Sequence, residues 1–94
     1  MHESFKASFA AQLDAAPKSF WTRLFKLQNI LQANKTDLMA AFPTENECVT
    51  WALGLYDQFI TPIDIPVIPE VVEATLDKVF KGLIEQTIRQ WYPG

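Results

Sequence analysis

Proline decides where this chain can be helical. A proline inside a helix removes a backbone hydrogen bond and clashes with the preceding turn, and it biases the residue before it toward extended backbone. Pro17 and Pro43 each close a segment of helical periodicity, and Pro62, Pro66 and Pro69 fall within eight residues of the stretch ITPIDIPVIPE, Ile60 to Glu70. No helix can run from Thr44 through to Tyr92. The connector must separate two helices, and Ile63, Ile65, Val67 and Ile68 mark it as an apolar strap lying over a core. Its restricted φ angles lower the entropy lost when it is ordered.

The segments between the prolines read as helices. Phe5, Phe9, Leu13 and Ala16 recur at helical spacing over about residues 3–15. A second segment covers about 19–41, with Ser19 as N-cap and Phe20, Leu24, Leu27, Leu31 and Leu38 in one phase. The polar run 34–37 marks a break that would divide it. The third covers about 44–60 and opens on Thr44-Glu45-Asn46-Glu47, which has capping-box spacing. Cys48, Trp51, Ala52, Leu55 and Phe59 form its face. The fourth covers about 69–92 with Pro69 at its start, where proline costs no hydrogen bond. Its main stripe reads as Val72, Leu76, Val79 and Leu83. The expected fold is all-α: one small domain over residues 1–94, a bundle of four main helices, or five if the second divides.

Composition narrows the function. Among 94 residues there are twelve aromatic side chains, three glycines, one histidine and one cysteine. Cys48 has no cysteine to pair with and no histidine partner, and it sits at an apolar helix position, so it reads as buried and inert. One Cys and one His cannot supply a zinc ligand set. Isolated glycines make no phosphate loop. Glu70, Glu73 and Asp77 share a helix face, which reads as a solvated acidic face matched to the helix dipole. No catalytic, metal or cofactor residues are assigned, and the chain is not expected to be an enzyme. The net charge of −3 gives no footprint for nucleic acid. No stretch approaches the ~20 apolar residues of a membrane span, and no signal-peptide pattern opens the chain; the expected location is the cytoplasm.

The charge is uneven. Residues 1–36 carry five basic and two acidic side chains, and residues 37–94 carry three basic and nine acidic ones. Lys18, Arg23 and Lys26 lie opposite a stripe of Trp21, Phe25, Gln28 and Gln32 on the second helix. On the last helix Phe80, Ile84, Ile88 and Trp91 form a second apolar row beside the main stripe, in the sector that holds Glu73 and Asp77 further up. Two helices thus carry more apolar circumference than one small core needs. The eight residues of these two rows are the candidate interface. The expected function is that of a non-catalytic interaction or assembly module, its partner another protein or a second copy in a homodimer. The alternative is a membrane-surface or apolar-ligand binder, with the rings inserted and the lysines outside.

Overall fold

The computed structural model describes residues 2–93, with side chains from Ser4 onward; the side chain of His2 lies outside the described residues. Among the described residues the fold is all-α, with five helices: α1 His2–Ala15, α2 Phe20–Ala33, α3 Lys35–Ala41, α4 Glu45–Phe59 and α5 Glu70–Arg89. The second segment does divide. Asn34 ends α2 and precedes α3; its Nδ2 donates to the Ile30 carbonyl at 2.8 Å, and its own carbonyl accepts from Leu38 N at 2.9 Å to restart the helix. A side chain that bonds the preceding turn competes with helix continuation.

Leu13 on α1, Phe20, Leu27 and Leu31 on α2, Leu38 on α3 and Cys48, Ala52 and Tyr56 on α4 are fully buried. One chain of rings, Phe5–Phe9–Trp51–Phe42, ties α1 and α4 to the residue after α3. α5 lies along α4, joined by ion pairs of 2.8 Å between Lys81 and Asp57 and between Arg89 and Glu45. The Cα envelope measures 39 × 30 × 17 Å. Its short axis accommodates two layers of helices packed about 10 Å apart. No helix is enclosed on all sides, so each keeps an outer face.

Thr44 caps α4 as its spacing predicts: its hydroxyl accepts from Glu47 N at 3.3 Å. Thr44→Ala should lower the unfolding free energy by about 1 kcal/mol, read from the denaturation midpoint.

The connector is a folded strap. Ile65 is buried, and Ile63 and Ile68 are half-buried against the core. Ile68 N donates to the Ile65 carbonyl at 3.3 Å, closing a turn with Pro66 and Val67 at its centre. Val67 takes φ 57, a left-handed conformation costly for a β-branched residue. Of the acidic row on α5 only Glu70 is exposed. Glu73 is buried and its Oε1 accepts from Ile65 N at 2.6 Å, while Asp77 accepts from the Tyr56 hydroxyl at 2.5 Å.

Arg23 also departs from the sequence reading, which set it on a basic outer sector. It is buried, and its Nη1 donates to the Phe59 carbonyl at 3.0 Å. Its Nη2 donates to the carbonyls of Asp14 and Ala16 at 3.3 and 3.2 Å. These carbonyls lie at the C-terminal ends of α4 and α1, where the helix dipoles favour a cation. One guanidinium fork therefore fastens two helix ends to a third helix.

Buried hydroxyls and the thiol make the fold sensitive to alkali. Burial pushes the Tyr56 pKa up, and the hydrogen bond to Asp77 pushes it further. Burial also pushes Tyr92 up to about 12, and raises Cys48. The folded state holds these protons more tightly than the unfolded chain, whose groups titrate from ordinary values of 9.0 for Cys48 and 10.0 for the tyrosines. Stability from these groups is complete below about pH 9 and is lost as the pH rises through the raised folded values. Denaturation midpoints should be level near neutral pH and fall progressively above about pH 9.

Candidate functional site

α5 presents its two apolar rows in the opposite sense to the sequence reading. Ile84 and Ile88 are 0% exposed, Trp91 is buried and Phe80 is half-buried. The stripe of Val72, Val79 and Leu83 instead stands outside, 43%, 50% and 49% exposed, with Leu76 half-buried beside it and Val71 exposed nearby. The inversion has a physical cause. Taking Glu73 and Asp77 as markers of the solvent side assigns their whole row outward. Their carboxylates are used inside, by Ile65 N and by the Tyr56 hydroxyl, so the row below them faces inward as well. Ile84, Ile88 and Trp91 belong to the protomer core and offer no surface to a partner.

The aromatic stripe on α2 is where it was placed. Trp21 is 41% exposed and Phe25 60% exposed. Gln32 is exposed; Gln28 is half-buried, with its Oε1 enclosed and lacking a hydrogen-bond partner among the described residues. A second chain of rings leads from the core to this surface. Phe20, fully buried, packs edge-on against Trp21 at 5.1 Å between centroids. Trp21 meets Phe80 of α5 edge-on at 5.7 Å and stacks over Phe25 at 6.3 Å.

The Trp21–Phe80 contact makes the two exposed stripes one face. Phe80 lies within one turn of Leu76, Val79 and Leu83 on its own helix. The face thus runs from Phe25 over Trp21 and Phe80 to the outer row of α5. Charged residues are absent from its centre, and Gln28, Gln32 and Gln86 supply neutral polar groups. The exposed parts of its rings and aliphatic side chains amount to roughly 500 Å², near the upper end of what monomers leave uncovered.

Val72, Val79 and Leu83 are the site residues that periodicity alone assigned to the core. A detectable signal was present: the outer row ends in Gln86 and Gln90, whereas the inner row continues through Ile88 to Trp91. Among the described residues, no three His, Cys, Asp or Glu side chains converge to hold a metal ion, and no helix is long and apolar enough to cross a membrane. Neither a family model, nor a curated protein, nor a solved structure matches this chain.

Proposed function

We propose that this protein is a non-catalytic interaction module that works by burying the α2–α5 face against another protein chain. The observation that carries this reading is the continuity of that face. Six large apolar side chains on α2 and α5 stand exposed, and the Trp21–Phe80 contact joins the two helices' share into one surface. Aromatic anchors at the centre with neutral amides around them are the composition of a docking surface. The lone cysteine suits action in a reducing compartment such as the cytoplasm.

Trp21→Glu with Phe25→Glu places charge on the face by substituting two exposed side chains. Affinity capture from the native cell, quantified against this double variant, tests the reading. A partner retained by the wild type and lost by a variant with an unchanged denaturation midpoint supports it. Equal retention of every captured protein contradicts it. The membrane-surface reading has one observation in its favour, the surface groove that Phe25 and Lys26 line together. Co-sedimentation with vesicles containing anionic lipid, weakening as salt rises, would replace the protein partner with a lipid surface.

A further inference from the structure

We infer that the outer row of α5 pairs with the same row of a second copy of this chain, the two helices running antiparallel across a twofold axis. This deepens the interaction reading and rests on it. Val72, Leu76, Val79 and Leu83 follow one another at intervals of four, three and four residues, the spacing of a coiled-coil seam. The sequence of intervals is the same read in either direction. An antiparallel copy therefore sets Val72 of one chain opposite Leu83 of the other and Leu76 opposite Val79, so that each apolar side chain meets an apolar one over about 16 Å of helix. Gln86 and Gln90, next in the seam, fall outside this overlap, whereas a parallel pair would bury both against their own copies.

Two further observations point to a second copy. The seam contains no charged residue, so twofold pairing buries no charge that would need a partner across the axis. The α5 seam supplies about half of the roughly 500 Å² of exposed apolar area, and Trp21 and Phe25 flanking it supply the rest; together they approach what a homodimer interface of ordinary size needs, ~800 Å² per partner, some two-thirds of it apolar.

The test is the mass in solution at high micromolar concentration, by light scattering, for the full chain and two variants. The wild type should give twice 10.7 kDa. Leu83→Glu should give the single-chain mass with its helical circular dichroism retained. Val79→Glu, one turn before Leu83 in the seam, should do the same. Spin labels on Gln86→Cys then read the arrangement, since buried Cys48 is spared. Antiparallel pairing predicts a separation of roughly 25–30 Å and parallel pairing roughly 10 Å. A wild type of single-chain mass overturns self-pairing while leaving the capture experiment to judge the interaction reading. A dimer that survives both substitutions, or labels at the shorter distance, also overturns it.

Discussion

Arg23→Ala should lower the unfolding free energy by about 3–5 kcal/mol, the largest loss expected from any single polar side chain in this fold. The guanidinium is buried and makes three hydrogen bonds to carbonyls at the ends of α1 and α4. Truncation leaves the Phe59 carbonyl enclosed without a donor, which costs about 1–3 kcal/mol, and strips the part-buried Asp14 and Ala16 carbonyls of theirs. It also removes the cation from two helix C-termini and opens a cavity beside Phe59, whose ring lies 6.0 Å from the guanidinium carbon. Arg23→Lys should recover less than half of the loss, because an ammonium is a single point and cannot span both helix ends. Urea denaturation of the three proteins measures this. An alanine variant within about 1 kcal/mol of wild type would show that the fork is dispensable.

Glu73→Ala should cost about 2–3 kcal/mol and loosen the connector. The carboxylate is the partner of Ile65 N, in the middle of a strap whose prolines leave it few amides to anchor. Without it a buried backbone donor is left unpaired, which folded proteins seldom tolerate. Limited proteolysis should then cut first between Ile60 and Pro69, a region expected to resist cleavage in the wild type. Glu73→Gln keeps an acceptor oxygen in place and should restore most of that resistance. If the alanine variant is cut no faster than wild type, the apolar contacts of Ile63, Ile65 and Ile68 hold the strap unaided.

Much of the architecture was legible in the sequence because its signals are local. Pro17, Pro43 and the connector prolines end or separate helices by backbone sterics alone. Thr44 caps α4 through a hydrogen bond three residues long, and Asn34 interrupts its helix by bonding one turn back. The facing of α5 was legible only at its C-terminal end, where Gln86 and Gln90 close the outer row, and Glu73 and Asp77 pointed the other way. Periodicity gives two adjacent apolar rows on that helix but not which one turns inward. That is decided by Ile65 and Tyr56, 8 and 21 residues away from the carboxylates they bond. Arg23 was misplaced for the same reason, since its acceptors include a carbonyl 36 residues distant. The α2 stripe fared better because Trp21 and Phe25 lie off the Phe20, Leu24, Leu27 and Leu31 phase. Their exposure and their junction with Phe80 became visible only in three dimensions.

Leu83 and Ile84 are neighbours in sequence and stand on opposite sides of the boundary between surface and core, 49% and 0% exposed. Chemical denaturation of Leu83→Glu and Ile84→Glu, followed by far-ultraviolet circular dichroism at a concentration low enough to keep the chain monomeric, tests that boundary most directly. With the α2–α5 face outside and the Ile84 row inside, Leu83→Glu should unfold within about 1 kcal/mol of wild type, and Ile84→Glu should lose about 4 kcal/mol or more, enough to abolish folding of a small domain. A folded Ile84→Glu beside an unfolded Leu83→Glu would mean that α5 turns its other row inward, and the face described on α2 and α5 would not exist.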